Sequence, residues 1–200
     1  MISTYRVMFA VIVLLCLMSL SHSAPLACED LVRPLDRLDR QHLEGRWILV
    51  AGSLSHPPLI ERLRRRDSST VNFSNNTSDG TISFSRSTHL DNKCYYSSYN
   101  ISLEGSSFTH DDVNTTFIHT SCHDCILLSC DVESAKRQHF YLFSRRREVD
   151  QREMEEFRAQ VECLNMPPPV VMDPTKKLCL GETASDPVAQ TEEKTEGQKN

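Results

Sequence analysis

The residues best suited to chemistry are the cysteines, of which the chain has eight. Cys122 and Cys125 form a C-x-x-C motif, and His119 and His123 stand beside it. This spacing is compatible with a thioredoxin-like redox pair, a zinc site or a short structural disulfide. A redox pair needs a βαβ context that is missing here, and such local ligands in an oxidising compartment make a poor zinc site. We therefore predict a Cys122–Cys125 disulfide, with no metal ion and no cofactor.

The start of the chain indicates that the protein enters the oxidising secretory compartment. Arg6 precedes an apolar run from Val7 to Met18, and small polar residues follow, which is the layout of a secretory signal peptide. We predict a signal peptide over residues 1–23, with cleavage after Ser23 or Ala24. The product is expected to be secreted and extracellular, in plasma or mucus. Cys16 leaves with the signal peptide, so an odd number of cysteines remains and at least one thiol lacks a partner within the chain.

Composition and charge exclude several classes of protein. A net charge of −5 is too acidic for a nucleic-acid-binding protein. No second long apolar run follows the signal peptide, so no integral membrane segment is expected. Residues 24–180 fit one domain, expected to be a monomer, and residues 181–200 read as a disordered polar tail.

The elements that position the cysteines are mainly strands. Trp47, the only tryptophan, begins an apolar run after Gly45, and with a period of two Leu49 and Ala51 should share its inward face. Seven more short segments alternate in the same way, and no long helix is predicted between them. The pattern predicts an all-β, eight-stranded antiparallel up-and-down barrel. The later strands are predicted at 69–74, 81–88, 93–103, 106–109, 113–121, 125–132 and 138–145.

One helix follows the strands. Asp150 and Glu153 form a capping box, and an apolar stripe can lie against the outside of the barrel. We predict a single C-terminal α-helix there, with a short edge strand over 170–172 after it. The stripe consists of Met154, Phe157, Val161 and Leu164.

Five N-glycosylation sequons report which way the strands face. A glycosylated asparagine must face solvent, so its strand neighbours face inward. This places Val71 and Phe73 inside, Phe117 and His119 inside, and Tyr99 and Ile101 inside, with Tyr95 also inside unless a bulge near 97–98 inverts it. The acceptors are Asn72, Asn75, Asn76, Asn100 and Asn114, of which Asn75 and Asn76 overlap and only one is expected to be used.

Several motifs stand in a fixed order along the chain: Cys28-x-x-Leu31-x-x-Pro34, Gly45-x-Trp47, Lys93 to Tyr96, Glu155 to Leu164 and Asp173 to Cys179. In this order and spacing they resemble the orosomucoid (alpha-1-acid glycoprotein) family of lipocalins. Two further segments, 121–129 and 140–145, are similar to its fish members, the saxitoxin- and tetrodotoxin-binding proteins and the tributyltin-binding proteins. The second lipocalin motif survives only as Asp124.

The resemblance implies a structure for the barrel. It pairs Cys28 with Cys163 and Cys94 with Cys179, and it sets Arg145 over Trp47 at the barrel floor. It also turns Cys130, the cysteine left over, toward the cavity. The ligand-binding set implied by the strand faces and the family is Phe73, Tyr99, Phe117, His119, Cys130, Tyr141 and Phe143.

The function implied is a secreted glycoprotein that binds and transports small hydrophobic or amphipathic molecules, with toxins and organotin compounds among the candidates, and that is not an enzyme. The alternative is a lipocalin-type enzyme that uses the free thiol of Cys130. A binder of proteins or cell surfaces has no positive motif. Arg62, Arg64, Arg65 and Arg66 are expected at the open end, either as a merely solvated loop or as a rim that favours anionic or zwitterionic ligands.

Overall fold

Antiparallel strands organise the molecule. The computed structural model describes residues 27–75, 80–132, 134 and 136–180. The expectations for the signal peptide, Cys16, Asn76 and the tail 181–200 lie outside these residues. The strands are β1 (Gly45–Leu54), β2 (Arg66–Asn75), β3 (Ile82–Leu90), β4 (Lys93–Ile101), β5 (Ser107–His110), β6 (Val113–Ile118), β7 (Cys125–Val132), β8 (Arg137–Ser144) and a short β9 (Val170–Val171).

The strand order is that of an up-and-down barrel. It runs β4-β3-β2-β1-β8-β7-β6-β5, with β9 added to β1. Every neighbouring pair is antiparallel. Eight strands curl into a barrel with a C-terminal helix, which confirms the predicted fold class. β4 and β5 end the order and pair with each other nowhere in the described residues, so a seam separates them.

Short helices complete the molecule. They are α1 (Cys28–Leu31) and α2 (Arg40–Leu43) before β1, α3 (Pro57–Arg64) between β1 and β2, and α4 (Gln151–Cys163) after β8. The predicted capping box of α4 is confirmed, because Asp150 accepts from the Glu153 N–H while the Glu153 side chain accepts from the Asp150 N–H. Two reciprocal bonds satisfy N–H groups that a helix start leaves without partners.

Apolar residues form two cores, one on each face of the sheet. The inner core fills the barrel around Trp47, Phe73 and Phe117. The outer core lies between the sheet and α4, where Phe140 stacks on Phe157 with ring centroids 5.5 Å apart. The predicted helix stripe is confirmed, since all four of its members belong to this outer core: Met154, Phe157, Val161 and Leu164.

One predicted strand face is wrong. Ala51 was expected to point inward with Trp47, but it lies in the outer core with Val50. The register between β1 and β8 shifts between Leu49 and Ala51, because a bulge there accommodates one additional residue in β1. Gly52 consequently faces inward opposite Tyr141, and a Cβ at Gly52 would lie 2.8 Å from the Tyr141 ring.

The cysteine bonds tie the outer segments to the barrel. The structure joins Cys28 to Cys163, Cys94 to Cys179 and Cys122 to Cys125, the same pairs that the sequence suggested, and leaves Cys130 free. The first bond attaches α1 to α4, and the second attaches the C-terminal segment to β4. β6 ends at Ile118, before the predicted 121, because the chain turns through the C-x-x-C motif there.

Candidate functional site

The closed end of the barrel is built on Trp47. Its ring is fully buried, and its indole N–H donates to the Leu43 carbonyl at 2.8 Å. Leu43 ends α2, whose first turn is capped by Asp39 accepting from the Gln41 N–H. The helical turn therefore places a carbonyl where the buried indole needs an acceptor.

Arg145 covers this tryptophan from the end of β8. Its guanidinium carbon lies 3.5 Å from the Trp47 ring centroid. The same guanidinium donates to the carbonyls of Arg46 at 2.8 Å, His42 at 2.8 Å and Glu44 at 2.5 Å. The contact expected between Arg145 and Trp47 is thus present, and it also joins the last long strand to the segment before β1.

The lower half of the interior is packed with aromatic rings. Phe73 contacts Phe84 with centroids 5.1 Å apart and Phe117 at 6.0 Å. Phe73, Phe117 and Phe143 are each at most 5% exposed. These three side chains from the predicted ligand set therefore serve as core of the barrel.

The upper half of the interior is polar. Thr115, Cys130 and His139 are aligned across β6, β7 and β8, and the Thr115 hydroxyl donates to the Cys130 sulfur at 3.6 Å. Tyr141 lies on the same face, one step nearer the floor, with its ring 5.9 Å from that of His139. Cys130, His139 and Tyr141 are all partly accessible. The open half therefore combines soft, aromatic and hydrogen-bonding groups.

Burial changes the acidity of all three groups. Desolvation raises the pKa of Cys130 to about 11 and that of Tyr141 to about 12. Desolvation, aided by nearby cations, lowers the pKa of His139 to about 4. At neutral pH the thiol, the phenol and the imidazole are consequently all uncharged. His139 Nε2 is buried and makes no hydrogen bond to any residue that the structure describes.

Two arginines face this polar half, and the sequence analysis missed one of them entirely. Arg86 pairs with Val71 of the inner core, which puts it on the inward face of β3. Arg66 was expected only at the rim, but a register shift between Arg66 and Ser68 brings it opposite Leu90. Both guanidinium groups act on the pKa of His139 and of Tyr141. The signal for Arg86 was its period-two spacing from Ile82 and Phe84.

A ring stack bridges the seam. Tyr99 of β4 and His110 of β5 are parallel within 2°, with centroids 3.5 Å apart. Tyr99 was predicted to face the interior, and it packs against the inner core. The register between β3 and β4 is unbroken from Ile82 to Leu90, so the alternative bulge near 97–98 is absent. Tyr95 keeps the inward register but is 43% exposed at the open end.

His119 is not brought to this group. It lies past the closed end of β6, where its N–H donates to the Arg33 carbonyl at 3.0 Å and its carbonyl accepts from Gln160 at 2.9 Å. The next turn contains Asp124, which pairs with Arg146, and this contact lowers the pKa of the carboxyl. Cys122, Asp124 and Cys125 come within metal-binding distance of one another, but the disulfide consumes both thiolates.

The acceptor asparagines differ in their surroundings. Asn72, Asn100 and Asn114 alternate with inward residues and so face outward, as predicted. Asn100 is exposed, whereas Asn72 and Asn114 are partly buried. The Asn75 amide donates to Glu44 at 3.1 Å.

An eight-stranded barrel with a tryptophan floor, a covering arginine and a helix on its outer wall is a lipocalin-like protein. The solved structures agree: the siderocalin Ex-FABP, described as functioning through dual ligand specificities, matches with a TM-score of 0.57 and 16% identity over 66% of this chain and 93% of that chain. At that identity the likeness establishes the fold alone.

The family is established by sequence. The model of the ApoM domain matches residues 36–179, which is most of the chain, and the protein therefore belongs to the ApoM domain family. Lipocalin and ApoM proteins are typically binding proteins without enzymatic activity. The search of curated proteins returned no match.

The disulfide-rich domain is consistent with secretion. Within the described ranges, none of the helices has the length and apolar character needed to span a membrane.

Proposed function

We propose that this protein is a secreted carrier, not an enzyme, that binds small hydrophobic or amphipathic molecules in the open half of its barrel. The observation that carries the proposal is the dual character of Cys130 and Tyr141. Both are accessible to solvent, yet both are enclosed deeply enough for desolvation to raise their pKa values. Groups that are enclosed and still accessible are those that line a cavity.

The arrangement of the two halves favours an amphipathic ligand with an acidic head. The floor half offers phenyl rings and aliphatic side chains, which suit an apolar body. Arg66 and Arg86 face the half nearer the mouth, and their charges favour a carboxylate or another anion. A ligand would therefore bind with its apolar end toward Trp47.

Two assays test this assignment. Native mass spectrometry of protein purified from its own source would reveal a bound small molecule. Fluorescence titration with a polyene fatty acid and with its methyl ester would then measure the role of charge. Arg86→Gln should weaken the acid about tenfold, equivalent to about 1.4 kcal/mol, and leave the ester unchanged. The control is Arg46→Gln, because Arg46 is the register partner of the outward-facing Asn72. If the parent protein bound neither probe, the proposed binding cavity would be refuted.

The arginines at the rim should contribute less to the preference for an anionic ligand. Arg62, Arg64 and Arg65 are exposed, and the last two pair with Glu61 and Asp91. Such pairs reduce the field at the mouth, so most of the selectivity should come from Arg66. Replacing all four with Ser should weaken an acidic probe more than a neutral one of equal size. Restoring Arg66 alone should recover most of the loss.

We also propose particular classes of ligand for this cavity. The resemblance to the orosomucoid family and to fish toxin- and tributyltin-binding proteins supports aromatic toxins and organotin compounds as candidates. Cys130 supplies a soft sulfur donor in the open half, which suits an organotin. Phe73, Tyr99, Phe117, Tyr141 and Phe143 are the proposed wall, and His119 is retained only as an expectation of the sequence.

The enzyme alternative also rests on Cys130. His139 is its direct neighbour across β7 and β8 and is uncharged at neutral pH, but its lowered pKa makes it a weak base. The raised pKa of Cys130 also keeps the sulfur protonated and unreactive. Alkylation of native Cys130 by a small maleimide should accordingly be much slower than that of a free thiol in water. Fast alkylation that His139→Gln suppresses would favour the enzyme.

A further inference from the structure

The outer wall of the barrel carries a groove that the carrier function does not use. It has a volume of about 240 Å³ and lies across β2, β3 and β4. Its floor consists of short hydroxyl side chains, Thr70, Ser85 and Ser87, and Thr70 and Ser87 bond to each other at 2.7 Å. Larger side chains stand on both sides, so the groove exists because three adjacent outward positions are small.

The walls of this groove are fixed in place. Tyr96 forms one side, and its hydroxyl donates to the Leu180 carbonyl at 2.9 Å. Cys179 stands beside it and is held by the disulfide to Cys94. Arg46 of β1 forms the opposite side, as the register partner of Asn72. Tyr96 as a whole remains 44% exposed.

The acceptor Asn72 lines the same groove. In N-glycosylation the side-chain nitrogen bonds to N-acetylglucosamine while the sugar–phosphate bond of a lipid diphosphate donor breaks and an amide proton is released. The first sugar of any glycan on Asn72 must therefore begin in this groove. An aromatic ring, hydroxyls and a guanidinium are groups that contact a sugar well. The groove is smaller than the roughly 300–1,000 Å³ of common ligand pockets, which suits a single sugar ring.

We propose that the first N-acetylglucosamine on Asn72 packs into this groove against Tyr96 and stabilises the fold, unlike the sugar on Asn100. Asn100 is exposed and lies outside the residues that line the groove. The glycan on Asn72 thus becomes a structural part of the outer wall. The proposal does not depend on what the interior binds.

The test uses the full chain secreted from eukaryotic cells that attach high-mannose glycans, with occupancy of each site measured by glycopeptide mass spectrometry. Trimming with endoglycosidase H leaves one sugar on each acceptor and should leave the melting temperature unchanged. Complete removal by peptide-N-glycosidase F should lower it by about 2–4 °C, the shift that 1 kcal/mol produces at this size. Resistance of Asn72 to complete removal, while Asn100 is released, would also support a packed sugar.

Two variants separate packing from other effects. Asn72→Gln should lower the melting temperature by the same amount, whereas Asn100→Gln should not. Tyr96→Ala should destabilise the glycosylated protein more than it destabilises Asn72→Gln, which isolates the contact between ring and sugar. An unoccupied Asn72, equal melting temperatures after trimming and complete removal, or equal losses at Asn72 and Asn100 would overturn the proposal.

Discussion

The two ends of the barrel interior satisfy their polar groups in opposite ways. At the floor, Arg145 makes three hydrogen bonds to backbone carbonyls and covers Trp47, whose N–H also has a carbonyl acceptor. In the open half, His139 has a buried nitrogen without a partner in the described chain, and Cys130 has only a long contact with Thr115. The floor satisfies these polar groups within the chain, whereas the described residues of the open half do not.

This difference separates stability from binding. Buried polar groups are normally hydrogen-bonded, and exceptions in a folded protein need an explanation. The two exceptions inside the barrel, His139 and Cys130, both lie in the half that we propose binds ligand. Substitutions at the floor should therefore change folding, while substitutions in the open half should mainly change pH response and binding.

The largest effect is expected at the floor. Trp47→Ala should lower the free energy of unfolding by about 3–5 kcal/mol, because it removes a fully buried ring and leaves a cavity beneath Arg145. Urea unfolding followed by circular dichroism measures this without the only tryptophan as a probe. A loss below about 1 kcal/mol would mean that the floor collapses around the gap and that the comparison fails.

A smaller effect is expected at Arg145. Arg145→Lys keeps the charge, but a lysine cannot reach three carbonyls at once. The free energy of unfolding should therefore fall by about 2 kcal/mol. The matched control is Arg158→Lys at an exposed position of α4, which should change stability by less than about 0.5 kcal/mol. Equal losses in the two variants would show that the floor contacts do not stabilise the barrel.

The open half should respond to pH. The lowered pKa of His139 means that the folded protein binds this proton less readily than the unfolded chain, so stability falls as the pH drops from about 6.5 toward about 4. The full shift corresponds to roughly 3 kcal/mol, but partial exposure reduces this to about 1 kcal/mol. His139→Gln should remove that part of the loss. Parallel stability profiles of parent and variant between those pH values would contradict the assignment.

The smallest effect on folding is expected at Cys130. Cys130→Ser should change the free energy of unfolding by about 1 kcal/mol or less, because the side chain is partly accessible and nearly equal in size. If the sulfur binds organotin, the same variant should bind tributyltin at least tenfold more weakly while keeping its affinity for a polyene fatty acid. Unchanged tributyltin affinity would make Cys130 an ordinary interior residue.

The fold was predictable from sequence because its signals are local and redundant. The period of two in the strands and the sequons give the same strand faces, and the sequons oriented β2 and β6 correctly. The capping box at Asp150 marks the start of the helix. The predicted bounds of β7, 125–132, are those that the structure has. The family resemblance supplied two of the disulfide pairs, which no local signal indicates.

What could not be predicted comes from departures from regular pairing. The bulge in β1 moves Ala51 to the outer wall, and the register shift in β2 turns Arg66 toward the interior. Neither has a local sequence signal, because each depends on a partner strand far along the chain. His139 was within reach, since it shares a period of two with Tyr141 and Phe143, which were already assigned to the interior. Arg86 could have been found from its period of two with the apolar residues Ile82 and Phe84.

The covering arginine also has a consequence for biosynthesis. Arg145 bonds to carbonyls that lie 99, 101 and 103 residues earlier in the chain, and β1 finds its partner β8 only near the end of the strand series. Contacts so distant in sequence slow folding. The apolar first strand must therefore wait, without its second neighbour, until most of the chain has emerged from the ribosome, and during that interval it needs protection by chaperones.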